Sequence, residues 1–372
     1  MARPEAADAA FMRLALAEAR KGLGRTAPNP AVGAVVVAGG QVVGRGFHRR
    51  AGTPHAEVHA LAAAGARARG ATLYVTLEPC HHTGRTPPCT GAVLAAGIRR
   101  LVVGAQDPNP TVIGGGAAFL AKQGIEVVSG VLAGPCQELI APFAKHVATG
   151  LPWVVLKAGM TLDGRIATAC GHSQWITGER ARREVHRLRD RLDAVLVGIG
   201  TALADDPQLT CRLPRGRDPL RVVLDSQARL PATCRMLTQG SAAATWLFCG
   251  PEAPEERRVA LAQAGCRVVT VPRTAGGGLD LASVLGELGR AGITSLLVEG
   301  GSRVHGAFLA AGLADRCLFF VAPRLLGGDG LPVVAGFAAR RVEDGLALRD
   351  VTIRHCGADF LVSGTPVRSR QP

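Results

Sequence analysis

Short apolar runs alternate with helical patterns along most of the chain. In the first part the runs fall at residues 34–37, 41–43, 71–77, 100–104 and 125–128, and helical patterns cover 54–68, 91–96 and 115–124. Gly39-Gly40 separates the first two runs and indicates a hairpin. Strands that alternate with helices predict a layered α/β sheet.

The alternation restarts after a stretch bounded by prolines at 142–152, which we predict to be a hinge. Strand-like runs then recur at 153–157, 194–197, 220–224, 245–249, 268–271, 296–298 and 317–322. A chain of 372 residues exceeds the usual size of one hydrophobic core. Because no internal repeat relates the halves, we predict two different α/β domains, 1–150 and 151–372.

The composition indicates a packed globular protein, with 47% hydrophobic and 19% charged residues. No run of about 18 uncharged apolar residues is present, so we expect no membrane span. The N-terminal residues predict an amphipathic helix that ends near Gly22 rather than a signal or transit peptide. We therefore expect a cytoplasmic protein.

The formal net charge of +14 favours an anionic partner. The excess is divided evenly between the halves, and no basic tail is present. Aromatic residues make up only 4%, which is a poor supply for stacking on nucleic-acid bases. A negatively charged small molecule explains the charge at least as well as a nucleic acid does.

Two of the ten cysteines, Cys80 and Cys89, lie among other chemically active groups, whereas the other eight are scattered singly. Without export, cysteines in a chain this long indicate thiols and metal ligands rather than a disulfide framework. The isolated cysteines are expected to be small buried hydrophobic residues.

A candidate zinc site combines His55-Ala-Glu57 with Pro79-Cys80 and Cys89. This order of groups is typical of the zinc deaminases that act on nucleobases. Pro54 predicts that His55 lies in the first turn of a helix, and Pro79-Cys80 predicts the start of another helix whose dipole favours a thiolate. Residues two apart on a helix point roughly 200° from each other, so His55 and Glu57 can share a site only near a helix end. Glu57 is then free to move protons.

Several alternatives stay open at this level. His59 lies four residues after His55, but the order of residues differs from that of zinc proteases. His81 and His82 stand beside Cys80 and could bind metal. A closed structural zinc site would leave Glu57 without a purpose, and a redox pair would need a shorter spacing than that between Cys80 and Cys89.

Taken together, the motifs resemble the bifunctional deaminase–reductases of riboflavin biosynthesis, and the resemblance extends along nearly the whole chain. It is carried by the segments 28–33, 55–61, 76–80, 84–89, 106–110, 162–165, 173–177, 204–207 and 298–301. The Gly-Arg-Thr-Pro-Pro-Cys run at 84–89 distinguishes this family from cytidine and tRNA deaminases. The family usually has Ser where this chain has His81.

The resemblance implies a first domain like cytidine deaminase, with three α/β/α layers, and a second like dihydrofolate reductase. The first domain would remove the C2 amino group of a diaminopyrimidinone that bears a phosphoribosylamine. His55, Cys80 and Cys89 would hold Zn²⁺, and Glu57 would be the catalytic residue. Asn29 would hold the pyrimidine edge, and Arg85 is a candidate for the substrate phosphate.

The second domain would reduce the ribosyl group to ribityl with NADPH. There is no G-x-G-x-x-G run after a strand, but the turn at 298–302 offers backbone amides to a cofactor phosphate. The resemblance implies cofactor contacts at Gly159, Trp175, Thr201, Asp205, Ser226, Gly301, Ser302, Arg303, Val304, His305, Gly306 and Ala307. Substrate contacts are implied at Ser173, Arg189, Leu209, Arg212 and Glu299, with Lys157 and Asp163 as further active-site candidates.

The leading interpretation is thus a two-step enzyme that acts on a small phosphoribosylaminopyrimidine, with neither nucleic acid nor membrane as partner, as a homo-oligomer. A nucleobase deaminase with an accessory second domain has no use for the Asp-Gly-Arg, Ser-Gln-Trp and Glu-Gly-Gly motifs of the second half. A nucleic-acid-binding protein with structural zinc would show strongly salt-dependent binding.

Overall fold

A computed structural model describes residues 5–82, 87–109 and 115–367. The chain forms two compact units, Met1–Gly150 and Leu151–Pro372. Both are built from sheets and helices, so the predicted α/β class is confirmed. In the part of the chain that is described, no helix combines the length and apolar character needed to cross a membrane.

The first unit is built on a five-stranded sheet. Its strands are β1 (Gly33–Ala38), β2 (Gln41–Phe47), β3 (Thr72–Leu77), β4 (Arg100–Ala105) and β5 (Glu126–Ser129), in the spatial order β2-β1-β3-β4-β5. β1 is antiparallel to β2 and β3, whereas β3, β4 and β5 are parallel. The helices are α1 (Asp8–Ala19), α2 (Ala56–Ala64), α3 (Cys89–Ala95), α4 (Gly116–Lys122) and α5 (Ala133–Thr149).

The central strands of this sheet are buried along most of their length, which explains their continuous apolar runs. α1 packs on them through Met12 and Leu16 and continues as a 3₁₀ turn to Gly22, as the sequence predicts. A buried ion pair joins α1 to β4: Arg100 donates to both carboxylate oxygens of Asp8, at 2.8 and 3.1 Å. Pairing is what allows these charges to lie inside the unit.

The predicted hinge at 142–152 is wrong over most of its length. Pro142 lies inside α5, which continues to Thr149. A proline in a helix interior removes one backbone hydrogen bond, and this helix tolerates that loss. The helix ends at Gly150, whose φ of 72° is left-handed and whose N–H donates to the carbonyl of His146 at 2.7 Å.

The second unit contains a nine-stranded sheet in the order β11-β10-β9-β8-β12-β6-β13-β16-β15. Its strands are β6 (Trp153–Thr161), β8 (Ala194–Gly198), β9 (Leu220–Leu224), β10 (Thr245–Cys249), β11 (Cys266–Thr270), β12 (Ser295–Gly300), β13 (Arg316–Ala322), β15 (Leu348–Cys356) and β16 (Asp359–Pro366). The strands from β11 to β13 are parallel, and β16 and β15 complete the sheet antiparallel. A separate two-stranded ribbon pairs β7 (Arg165–Ala167) with β14 (Leu331–Pro332).

Six helices accompany these strands in the described residues, namely α6 (Glu179–Arg191), α7 (Ile199–Asp205), α8 (Arg235–Thr238), α9 (Glu255–Gln263), α10 (Leu281–Arg290) and α11 (Ser302–Ala310). The carboxyl ends of the parallel strands β6, β8, β9 and β12 meet at one edge of the sheet. Ligands of open α/β sheets bind at such an edge.

Candidate active sites

Three segments of the first unit bring the predicted zinc ligands together. His55 is the N-cap of α2, with extended backbone at φ −76° and ψ 171°. Cys80 follows β3, and Cys89 is the first residue of α3. The helix start predicted at Cys80 is therefore wrong: the helix begins at Cys89, directly after Pro88, and Cys80 lies in irregular chain. His55 likewise precedes its helix instead of lying in the first turn.

The geometry of the three side chains fits a metal ion. His55 Nδ1 lies 3.2 Å from Cys89 Sγ and 3.5 Å from Cys80 Sγ, and all three ligand atoms lie within 4.8 Å of one another. One imidazole and two thiolates are ligands that Zn²⁺ prefers. Three protein ligands in a tetrahedral site leave a fourth position for water, as in catalytic zinc sites.

The surroundings favour the ionised form of one thiol. The hydrogen bond from the Cys89 thiol, together with His55, lowers the pKa of Cys80 to about 4. In addition, the backbone N–H of Cys89 lies 3.3 Å from Cys80 Sγ and donates to it. These contacts favour the thiolate form of Cys80, which is the form that binds metal.

Glu57 lies in the first turn of α2 and is only 3% exposed. Burial raises the pKa of its carboxyl to about 7. A carboxyl group with a pKa near neutrality can both accept and release a proton, which is what a general acid–base catalyst needs. The extended backbone at His55 explains how residues two apart in sequence share one site.

A histidine that the sequence analysis did not single out lies beside the predicted ligands. His48 follows β2, is 2% exposed, and its ring meets that of His55 edge-on, with centroids 5.1 Å apart. His48 Nδ1 lies 3.3 Å from the carbonyl oxygen of Pro54, and Nε2 lies 3.2 Å from Asn29 Nδ2. The spacing between His48 and His55 is not typical of a metal-binding motif, so the sequence alone did not indicate a role for His48.

The other histidines near the motif lie outside the group of metal-binding side chains found in the described residues. His81 Nδ1 lies 3.1 Å from Thr90 Oγ1, and its ring stacks on Phe119 with centroids 3.8 Å apart. His82 is exposed, and the Nε2 of His59 is buried without a partner. Arg85, predicted for the substrate phosphate, lies outside the described residues.

The second unit has a cavity of about 1080 Å³ at the carboxyl edge of its sheet. Nine of the residues predicted for the cofactor line it: Gly159, Trp175, Thr201, Asp205, Gly301, Ser302, Arg303, Val304 and His305. The five residues of this unit that are predicted for the substrate line it as well: Ser173, Arg189, Leu209, Arg212 and Glu299. The volume is that of a site for a large ligand, since pockets for drug-sized molecules measure roughly 300–1,000 Å³.

A charged cluster lies at one side of this cavity. Glu299 accepts hydrogen bonds from Arg189 Nε at 2.6 Å and Nη2 at 3.0 Å, and Lys157 Nζ lies 3.5 Å from its Oε2. Burial tends to raise the pKa of Glu299, but the charges of Arg189 and Lys157 outweigh it and lower that pKa to about 2. Burial lowers the pKa of Lys157 although Glu299 opposes the shift. Lys157 therefore releases its proton more readily than an ordinary lysine, as is common in catalytic sites.

The turn after Glu299 presents backbone to the cavity. Gly301 has φ 58°, which disfavours other residues, and a Cβ there would lie 3.2 Å from Thr201 Oγ1. α11 then begins at Ser302, so its N-terminal amides face the lining at Gly301–His305. A helix N-terminus of this kind suits a phosphate group.

Four predicted residues are not among the described residues that line the cavity: Asp163, Ser226, Gly306 and Ala307. Asp163 instead accepts from Thr161 Oγ1 at 2.5 Å and from the backbone N–H of Gly327 at 2.7 Å, and so holds the chain after β13. Gly306 packs so closely on Ala335 that a Cβ would lie 1.9 Å from its carbonyl oxygen.

Other lining residues carried no sequence signal. Arg182 lies over the Trp175 ring, 4.7 Å from its centroid, and His186 Nδ1 accepts from the backbone N–H of Arg212 at 3.3 Å. Both lie on α6, a helix rich in arginine and glutamate.

Comparison with known proteins assigns both units. The family model "Cytidine and deoxycytidylate deaminase zinc-binding region" matches residues 5–105, and the model "RibD C-terminal domain" matches residues 152–362. The second match covers more than half of the chain.

The similarity continues over the full length of individual relatives. Riboflavin biosynthesis protein RibD of Bacillus amyloliquefaciens is 43% identical over 358 residues, which cover 96% of this chain and 95% of that protein. RibD of Escherichia coli (strain K12) is 43% identical over 367 residues, covering 95% and 97%.

Solved structures agree with these sequences. A diaminohydroxyphosphoribosylaminopyrimidine deaminase/5-amino-6-(5-phosphoribosylamino)uracil reductase from Thermotoga maritima has a TM-score of 0.84 at 39% identity, and the match covers 97% of this chain and 99% of that one. Acinetobacter baumannii RibD has a TM-score of 0.85 at 38% identity with the same coverage. The chain therefore belongs to the RibD family of bifunctional riboflavin-biosynthesis deaminases and reductases.

Proposed function

We propose that this enzyme catalyses two successive steps of riboflavin biosynthesis. The first is hydrolytic deamination of 2,5-diamino-6-(5-phosphoribosylamino)pyrimidin-4(3H)-one to 5-amino-6-(5-phosphoribosylamino)uracil. The second is NADPH-dependent reduction of the ribosyl group to ribityl. The observation that carries the proposal is the cluster of His55, Cys80 and Cys89 beside buried Glu57, in a chain whose second unit holds a large charged cavity.

In the first unit, His55, Cys80 and Cys89 would hold the zinc ion. When bound, zinc supplies a Lewis acid that lowers the pKa of water. Glu57 would accept a proton from that water and deliver protons to the ring nitrogen and the departing amine. Its burial supports this role because a carboxyl with a pKa near 7 is protonated and deprotonated equally readily at neutral pH.

Asn29 would bind the pyrimidine through its carboxamide. It lies half-buried beside His48, and a carboxamide offers both a donor and an acceptor to an aminopyrimidine edge. Arg85 stays a prediction for the substrate phosphate.

In the second unit, the cavity would bind NADPH and the phosphoribosyl substrate side by side. NADPH supplies the hydride. Lys157 lies in the lining of this cavity, and its lowered pKa would suit it to donate the proton that the new alkoxide oxygen needs. Glu299 and Arg189 would orient this lysine and the sugar hydroxyl groups.

The cationic side chains of the cavity suit a substrate and a cofactor that both carry phosphate. The cytoplasmic location and the homo-oligomeric state stay predictions.

One experiment tests both activities and their order. The diaminopyrimidinone is supplied to the zinc-loaded enzyme, first without and then with NADPH. We expect ammonia release without cofactor, followed by NADPH oxidation once it is added. NADPH oxidation that precedes ammonia release would contradict the proposed order of the two reactions. Ammonia release from free nucleobases but not from the diaminopyrimidinone would contradict the proposed substrate.

A further inference from the structure

We propose that His48 is a positioning residue of the deaminase site, which fixes the carboxamide of Asn29 in the orientation that meets the substrate. The inference rests on the proposed function, because it takes Asn29 to contact the aminopyrimidine. His48 connects Asn29 to the chain segment that carries the zinc ligand His55.

The tautomer of His48 follows from its surroundings. The Pro54 carbonyl oxygen can only accept, so at 3.3 Å the Nδ1 of His48 must carry the proton and donate it. In the neutral ring, Nε2 is then a lone-pair acceptor. The backbone N–H of His48 donates to the carbonyl of Val32 at 2.9 Å, which holds the residue in place.

This tautomer determines which way the Asn29 amide points. Nε2 as an acceptor requires an N–H from Asn29, and Asn29 Nδ2 lies 3.2 Å from it. The flipped amide would set Oδ1 against the Nε2 lone pair and lose the hydrogen bond. Oδ1 of Asn29 accepts no hydrogen bond from a side chain in the described part of the chain, so Oδ1 and the second N–H are left for the ligand.

His48 itself has no atom to offer to zinc or substrate. Both ring nitrogens are engaged with the protein, and the residue is 2% exposed. Its effect on catalysis must therefore pass through Asn29. The fixed amide selects a ligand edge with a donor beside an acceptor, as an aminopyrimidine has.

The test is a double-mutant cycle in the full-length, zinc-loaded enzyme. His48→Phe keeps a planar ring without hydrogen bonds, and His48→Gln can place an amide oxygen where Nε2 lies. We expect deaminase kcat/KM to fall on the order of tenfold in His48→Phe, chiefly through KM, because one orienting hydrogen bond is lost. His48→Gln should recover part of this loss, and Asn29→Ala should lose more than His48→Phe.

The decisive measurement is the double variant. If His48 acts through Asn29, His48→Phe costs little further activity in the Asn29→Ala background. Additive losses would overturn the proposal, as would loss of zinc from His48→Phe in metal analysis. Far-UV circular dichroism and an unchanged thermal unfolding profile verify that each variant is folded, and NADPH oxidation by the second unit, measured with the deaminated substrate, should be unchanged. Absence of deaminase activity from the unmodified enzyme would refute the proposed function instead.

Discussion

Arg189 and Glu299 form a two-point ion pair, with Nε–Oε1 at 2.6 Å and Nη2–Oε2 at 3.0 Å. The remaining guanidinium nitrogen, Nη1, donates to the carbonyl of Thr210 at 3.0 Å. The family resemblance implies a substrate contact at each of these two residues, but it does not indicate that they pair with each other. In the structure three guanidinium N–H groups are engaged within the protein, and the pair holds Glu299 beside Lys157; substrate contact by Arg189 stays a prediction.

We expect the ion pair of Arg189 and Glu299 to stabilise the second unit less at acidic pH. The pKa of Glu299 is lowered from 4.5 to about 2 in the folded protein. Its ionised form therefore stabilises the fold above pH 4.5, and this contribution is lost as the pH falls toward 2. The shift corresponds to up to about 3 kcal/mol. In urea unfolding of the second unit, the stability difference between the unmodified protein and Glu299→Gln should shrink between pH 5 and the lowest pH that can be measured.

Glu287→Gln is the matched control, because Glu287 is the partner of an exposed arginine on α10. It should leave the pH dependence of unfolding unchanged. A Glu299→Gln protein whose stability difference stays constant across this pH range would contradict the assigned ionisation.

Glu57→Gln should separate metal binding from proton transfer. The ligands are untouched, so zinc content should equal that of the unmodified enzyme. Deaminase kcat should fall by about 10²–10⁴-fold because the amide cannot carry protons, whereas NADPH oxidation with the deaminated substrate should persist. Exposed Glu138, changed to Gln, is the control. Ammonia release at the normal rate from Glu57→Gln would remove this residue from the mechanism.

Cys89→Ser should remove the metal. We expect about one zinc per chain in the unmodified protein and less than about a tenth of that in the variant, because a site with three protein ligands loses one of its two thiolates. Cys136, also buried in the first unit, has no metal-binding neighbours among the described residues and provides the control Cys136→Ser. Retention of zinc by Cys89→Ser, measured by elemental analysis, would argue against this ligand.

Gly306→Ala should disturb the reductase cavity without touching a ligand. A Cβ at this position would lie 1.9 Å from the carbonyl oxygen of Ala335, so α11 or its neighbour must move, at a cost of about 1–3 kcal/mol. The rate of NADPH oxidation should fall, because α11 provides the cavity lining at Ser302–His305.

A second helical glycine gives the contrast. Gly286 lies in α10, and a Cβ there would meet only the end of the Arg290 side chain, at 3.7 Å. Gly286→Ala should therefore be neutral or stabilising, since alanine favours helix more than glycine does. Equal effects of the two substitutions on thermal unfolding would show that the Gly306 contact is relaxed without cost.

The sequence predicted what depends on local pattern and on chemistry carried by a motif. Buried strands such as β4 and β8 have continuous apolar runs, and the spacing of His55, Cys80 and Cys89 indicated metal chemistry. β15 was missed because seven of its nine residues are exposed and Arg349, Asp350 and Arg354 interrupt its apolar residues, so it has no continuous apolar run. The sequence also did not show that Pro142 lies inside a helix. Tertiary contacts stabilise α5 although the proline removes one of its backbone hydrogen bonds.

Contacts between segments that are distant in sequence could not be predicted. The role of His48 can be inferred only because folding brings Asn29 and the Pro54 carbonyl to its two ring nitrogens. Similarly, Asp163 was expected at the active site because of its motif, yet its carboxylate binds backbone amides 163 and 164 residues further along the chain. The periodic pattern of apolar and polar residues does not indicate such pairings.

The position of β6 in the large sheet has a consequence for protein synthesis. β6 is the first strand of the second unit to leave the ribosome, yet its neighbours are β12 and β13, which begin at Ser295 and Arg316. This apolar strand must wait for more than a hundred further residues before either edge is paired, and pairings so distant in sequence form slowly. The first unit can close earlier, because the strands described in it all precede residue 130. During translation the nascent reductase half is thus the part of the chain most dependent on protection from aggregation.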